Sequence, residues 1–262
     1  MIGAIVGDVI GSVYEGSAFI AKDFPLFESR SRFTDDTVLS IAVASAIMGG
    51  EPFAVSIRRW GCRYPTVGYG HGFSLWLARD EAGPYNSFGN GSAKRVAPVG
   101  WAFDNLKDVL HHAAASAEVT HNHPEGIKGA QAVAAAVFAG RTGQTKNQIA
   151  ALLSDTFGYD CSMDMRLLQE RGGFDVTCQG TVPVAAAAFL RSTDFEDAVR
   201  NAISIGGDTD TLACIAGAMA EAFYGDVPAS IQAETLSRLD ETLRREITAF
   251  SRRYCRYRAR EH

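Results

Sequence analysis

Residues 206–225 read GGDTDTLACIAGAMAEAFYG, and this stretch decides the fold class. From Asp210 to Tyr224 the residues, apart from Asp210 and Glu221, are apolar or small with no period-two alternation, and Gly225 supplies the stop that helix C-termini favour. Helical patterning recurs to either side. Between Asp36 and Met48, Val38, Ile41, Ala42 and Ser45 share one face, and Gly126–Gly140 is an alanine-rich run ended by glycine. Thr193 and Glu196 stand at capping-box spacing around Phe195, with Val199 and Ile203 following. Near the C-terminus, Leu243, Ile247, Phe250, Tyr254 and Tyr257 recur every three or four residues. The best strand-like segment, Asp175–Gln179, is short. These patterns predict an all-α fold, one compact multi-helix domain over residues 1–262, with no linker and no fixed-period repeat. Tyr64–Gly91 reads as a long loop, and loops of that length often carry function.

The whole chain narrows the function classes. With 262 residues, 47% hydrophobic and 21% charged, it can bury a sizeable core. A formal net charge of -5 disfavours nucleic acid as a partner, except as a modified substrate. No stretch approaches the ~20 apolar residues that span a membrane, and no basic leader precedes the first apolar run. Five cysteines, an odd number without a CxxC pair, fit neither a disulfide framework nor a zinc site. A reduced, cytoplasmic setting is expected. Gly3, Gly7 and Gly11 form a small-residue row suited to helix packing.

Three acidic segments stand out: Gly7-Asp8 leading to Glu15, Thr34-Asp35-Asp36-Thr37, and Asp208-Thr209-Asp210-Thr211. Asp and Thr are ordinary helix N-caps. One cap, however, needs one side chain, and each of the last two clusters supplies four oxygen-bearing residues. Adjacent carboxylates repel unless a cation lies between them. Arg32 is the sole basic residue within three positions of either cluster, so a bound cation is the economical solution. Carboxylate and hydroxyl oxygens are hard donors, suited to Mg²⁺, Mn²⁺ or Ca²⁺. Two clusters on meeting helix ends would suffice for two ions.

Ser87-Phe88-Gly89-Asn90-Gly91-Ser92-Ala93 can expose backbone N–H groups ahead of a helix near Ala93, a geometry that cradles phosphate. A turn with an N-cap accounts for the same residues. The loop is neither a Walker A motif nor a dinucleotide fingerprint. His121 and His123 lie in THNHPEG, where a helix cap is the ordinary role.

In chain order, GAIVGDVIGSVYEG (3–16), FTDDT (33–37), GNGSAKRVAPVG (89–100), THNHPEG (120–126) and GGDTDT (206–211) resemble the motifs of the ADP-ribosylglycohydrolase family. The resemblance runs over nearly the whole chain. It implies an all-α fold with two Mg²⁺ or Mn²⁺ ions in a cleft, and hydrolysis of the bond at C1″ of the distal ribose that releases ADP-ribose. Thr34, Asp35, Asp36, Asp208, Asp210 and Thr211 would be metal ligands. Asp35 or Asp36 would take a proton from the attacking water, and Glu15, on a mobile segment over the cleft, would serve as metal contact or acid/base group. Ser87, Gly89, Asn90, Gly91 and Ser92 would hold phosphates and distal ribose, Phe88 would stack on adenine, and His121 would touch phosphate or ribose. Many relatives carry methionine where this chain has Lys94; the lysine would aid phosphate binding or point into solvent, without disturbing the metals.

The expected partners are an ADP-ribosylated protein, modified on arginine or serine, or a small ADP-ribose derivative, with no membrane involved. Two other classes remain: an inactive ADP-ribose-binding module, and a toxin-neutralising immunity protein that uses Arg252, Arg253, Arg256, Arg258 and Arg260.

Overall fold

The computed structural model describes residues 1–18, 21–225 and 227–255. Among them are fifteen helices. The first half holds α1 (Ile2–Gly11), α2 (Asp35–Gly49), α3 (Phe53–Arg63), α4 (His71–Leu77), α5 (Gly91–Lys94), α6 (Ala97–Ala102) and α7 (Leu106–Glu118). The second half holds α8 (Pro124–Arg141), α9 (Lys146–Phe157), α10 (Met165–Arg171), α11 (Cys178–Leu190), α12 (Phe195–Ser204), α13 (Thr209–Tyr224), α14 (Ala229–Ser237) and α15 (Glu241–Tyr254). The all-α expectation holds.

Helices α1 and α13 form the centre. Every residue of α1 is buried, as is α13 from Thr209 to Ala222, so neither has a solvent face. They touch backbone to backbone, and the glycine row explains how. A Cβ on Gly3 would lie 2.4 Å from the Gly217 carbonyl oxygen, and one on Gly7 2.0 Å from that of Ala213. Helices α8, α11 and α12 pack around α13, while α2 lies against α1, α3, α6 and α15. Gly225 ends α13 in the left-handed region, as its place in the sequence predicts. No helix among the described residues is long and apolar enough to cross a membrane.

Several expectations need correction. Of Asp175–Gln179, one isolated antiparallel bridge survives, Thr177 against Gly89; Thr177 then caps α11, because its hydroxyl accepts from Gly180 N at 3.1 Å. The cap of α12 is Asp194, not Thr193: Asp194 Oδ1 accepts from Asp197 N at 2.8 Å. The Tyr64–Gly91 stretch contains α4, which has no side-chain cap and is pinned instead by buried Phe73 and Trp76. Helix α2 is buried nearly all round, and Ser45, expected on its inner face, is half-exposed and accepts from Arg59 Nη2 at 3.1 Å. Tyr257, Arg256, Arg258 and Arg260 lie outside the described residues.

Candidate active site

Asp8 assembles the first half of the site. It is fully buried in α1 and accepts four hydrogen bonds from the start of α2. Thr34 N and Oγ1 donate at 3.0 and 2.7 Å, Thr37 N donates at 3.1 Å, and Thr37 Oγ1 makes a fourth, shorter bond. With its oxygens saturated by protein donors, Asp8 is a positioning residue. Thr34 caps α2 by accepting from Asp36 N at 3.2 Å. Capping therefore explains Thr34, and it leaves Asp35 and Asp36 unused.

The second half is the N-terminus of α13. Asp208 holds the N-cap position, yet its side chain makes no cap hydrogen bond. Its Oδ2 instead accepts from Asn90 Nδ2 at 2.6 Å. Asp210 Oδ1 accepts from Thr211 N at 2.9 Å. Gly206 and Gly207, at φ +81° and +77°, make the turn into α13 possible. A side chain there is also excluded by contact, since a Cβ on Gly207 would lie 2.3 Å from Gly173 O. The pair ties down the end of the α1 motif: Gly16 N donates to Gly207 O and Gly207 N to Ser17 O, each at 2.8 Å. Glu15, expected on a mobile segment, is followed directly by these two backbone bonds and stands exposed at the rim.

Carboxylate oxygens of Glu15, Asp208 and Asp210 all come within 4.8 Å of one another. Burial lifts Asp210 well above the ordinary carboxylate range, with Asp36 and Asp208 adding repulsion. Burial raises Glu15 as well, with Asp208 next in importance. Three converging carboxylates with no Cys or His fit a hard divalent cation.

Lys94 corrects the sequence reading. Expected to aid phosphate binding or face solvent, it turns inward. Its Nζ lies 2.9 Å from Asp35 Oδ2 and in closer ionic contact with Asp36 Oδ1. Asp36 is fully buried, and neither of its oxygens has an aligned hydrogen-bond donor among the described residues. Burial lifts Asp36 well above its usual range against the pull of Lys94. Burial likewise opposes the lysine's charge, but Asp35, Asp36, Asp210 and Asp208 outweigh it and hold the ammonium well above the normal lysine range.

The glycine loop closes the other side. Asn90 N donates to Val176 O at 2.7 Å and Cys178 N to Phe88 O at 2.9 Å, so the 172–177 segment braces the loop. His121 points Nε2 at Gly91, where a Cβ would sit 2.9 Å away, and its Nδ1 lies 2.7 Å from Thr120 Oγ1. Burial, then Arg95 and Lys94, keeps its pKa well below 6.5, so the ring is neutral. Arg95 is a residue the sequence reading missed. It is fully buried and donates to Ser116 O at 2.7 Å and Thr120 Oγ1 at 3.0 Å, which holds the His121 turn.

These groups line a cleft of about 540 Å³, within the range of small-molecule sites. Glu15, Thr34, Asp35, Asp208, Asp210, Thr211, Ser87, Gly89, Asn90, Gly91 and His121 all reach it, whereas Asp36 is fully buried and outside the lining. Two expected contacts do not. Ser92 is fully buried and donates to Gly126 O at 2.7 Å. Phe88 faces outward, its ring 5.3 Å from His123, whose Nδ1 caps α8 by accepting from Glu125 N. The aromatic rings in the lining are those of Phe73, Tyr85 and Phe174, which no local motif marks.

Known proteins resemble the chain over most of its length. The family model described as ADP-ribosylglycohydrolase matches residues 1–262. ADP-ribosylhydrolase ARH3 of Homo sapiens is 28% identical over an alignment 314 positions long, gaps included, covering 88% of this chain and 86% of that protein. ADP-ribosylarginine hydrolase Tri1 of Pseudomonas putida (strain GB-1) is 23% identical over 261 aligned residues, covering 86% of this chain and 69% of its own. A solved structure, an ADP-ribosylglycohydrolase-related protein complex, has a TM-score of 0.72 and 25% identity over 96% of each chain. Paired acidic clusters facing a glycine loop, in a fold and sequence matched end to end, have one explanation: the chain belongs to the ADP-ribosylglycohydrolase family and is a glycosidic-bond hydrolase.

Proposed function

We propose that this protein, as one domain over residues 1–262, removes ADP-ribose from a modified acceptor by divalent-metal-dependent hydrolysis at C1″ of the distal ribose. One observation carries the reading: four carboxylates, Glu15, Asp35, Asp208 and Asp210, from two helix N-termini and the α1 motif face a glycine loop across a single cleft. Mg²⁺ and Mn²⁺ suit the donors equally, and the family resemblance implies two ions. A bound divalent ion supplies positive charge and Lewis acidity at the reacting ribose.

The chain's own groups supply the rest. The N–H groups of Gly89 and Asn90 are taken by Ser87 Oγ and Val176 O, so the Gly91 N–H at the start of α5 is the loop donor offered to phosphate. The neutral His121 ring offers Nε2 to phosphate or ribose without adding charge. Asp35 orients a water and accepts its proton. Attack at C1″ passes through an oxocarbenium-like state, which the surrounding carboxylates stabilise. Glu15 stands at the rim, where it would join Asp208 and Asp210 in holding the ion, and the proton taken up by Asp35 passes on to the leaving group.

Protein-linked arginine or serine is the acceptor class we favour. The name of one relative, ADP-ribosylarginine hydrolase, supports arginine, and that of the other, ADP-ribosylhydrolase, specifies no acceptor. The test is a panel of ADP-ribosyl-arginine and ADP-ribosyl-serine peptides and ADP-ribose-1″-phosphate, assayed for released ADP-ribose with Mg²⁺, Mn²⁺ and EDTA. Metal-dependent release from one peptide names the linkage. Tight ADP-ribose binding without release from any substrate would replace this reading with the binding-module one.

A further inference from the structure

The carboxylates fall into two groups that are served differently. Glu15, Asp208 and Asp210 converge with no basic side chain in ion-pair contact among the described residues, whereas Asp35 and Asp36 share Lys94. Lys94 is not a loose surface lysine that has swung inward. It is the last residue of α5, and its side chain is 11% exposed. Its carbonyl oxygen accepts from Ser40 Oγ on α2 and from Cys214 Sγ on α13, each at 3.3 Å, and its N–H donates to Asn90 O at 3.0 Å. The backbone that carries the ammonium is therefore clamped between the two helices whose N-termini carry the acidic clusters.

Consider what a divalent ion between Asp35 and Asp36 would need. Mg²⁺ binds carboxylate oxygens at about 2.0–2.1 Å and needs near-octahedral space. The Nζ atom already fills the position between Asp35 Oδ2 and Asp36 Oδ1. An ammonium carries three donors and no lone pair, so it cannot join a metal's coordination shell. It can only replace the metal's charge. Paired ions in two-metal sites lie about 3.5–4 Å apart, so a divalent ion beside this ammonium would be a third cation in the same small space.

We propose that this protein works with one divalent ion, held by Glu15, Asp208 and Asp210, and that the Lys94 ammonium is its built-in second cation between Asp35 and Asp36. The inference rests on the metal-dependent reading above and replaces the pair of ions that the family resemblance implies. The built-in charge cannot be removed by a chelator, but it contributes no Lewis acidity. It fixes the Asp35 carboxylate next to the place where the attacking water is oriented.

The test counts bound Mn²⁺ by the loss of the free-ion EPR signal, with protein well above its dissociation constant. Wild type and Lys94→Met, a side chain of similar length without the charge, are titrated side by side. Expected are one equivalent and an isolated-ion spectrum for wild type, and two equivalents with an exchange-coupled spectrum for Lys94→Met. Lys94→Gln serves if the methionine variant fails to fold. Two equivalents in wild type, or one in both proteins, overturn the proposal. If ADP-ribose release stays Mn²⁺-dependent in that case, the hydrolase reading stands alone. No bound Mn²⁺ in wild type overturns both.

Discussion

Asn90 donates its side-chain amide to Asp208 Oδ2 at 2.6 Å, a contact between residues 118 positions apart that joins the glycine loop to the acidic end of α13. The same amide donates to Thr181 Oγ1 at 3.0 Å, so it is held from behind while it holds the carboxylate. Loop and acidic cluster are thereby fixed relative to each other before anything binds.

Asn90→Ala should weaken divalent-ion binding about 10–100-fold, the usual effect of losing a partner that orients a ligand. Calorimetric titration of Mn²⁺ into the variant measures this. Unchanged affinity would show that Asp208 needs no such support.

Asp8→Ala should cost about 3 kcal/mol or more, because it strands four buried donors of Thr34 and Thr37. Urea unfolding gives the number. A loss under about 1 kcal/mol would mean that the start of α2 is held by something other than this carboxylate.

Gly7→Ala tests the α1–α13 contact. Its Cβ would lie 2.0 Å from Ala213 O, a backbone atom that cannot swing aside. Overpacking of this kind costs roughly 1–3 kcal/mol and occasionally more. Thermal unfolding should show a clear loss, and a neutral variant would refute the close approach of the two helices.

His121 ties stability to pH. Burial, helped by Arg95 and Lys94, holds its folded-state pKa well below 6.5. Between that value and 6.5 the unfolded chain binds a proton that the native state does not. The ring's contribution is thus complete above about pH 6.5 and falls as the solution is acidified, by up to ~1.4 kcal/mol per pH unit. Buried Asp36 and Asp210, raised rather than lowered, work in the opposite sense, so the comparison must be with His121→Gln. The unfolding free energy of wild type should exceed that of the variant by more at pH 7.5 than at pH 5.5. An equal gap at both would mean that the imidazole titrates normally.

What could be read in the sequence was whatever local chemistry decides. Apolar runs ended by Gly225 or led by Asp36 gave helices because burial and capping act within a few residues. The acidic clusters were visible because four oxygens exceed what a cap requires. Thr177 and Cys178 misled, since a β-like composition yielded to the cap and first turn of α11. Lys94 was misjudged for a different reason. A cation was sought within three residues of Asp35 and Asp36, whereas the fold delivers one from α5. Phe174 and Tyr85 reach the cleft in the same way, through tertiary placement that no motif encodes.

The most direct test of the central claim is the release of ADP-ribose from an ADP-ribosylated peptide, measured for wild type and Asp208→Asn with EDTA and after Mn²⁺ is restored. The account predicts release by wild type that EDTA abolishes and Mn²⁺ restores, and no release by Asp208→Asn in any condition although the variant stays folded. Undiminished release in EDTA, or by Asp208→Asn, would contradict it.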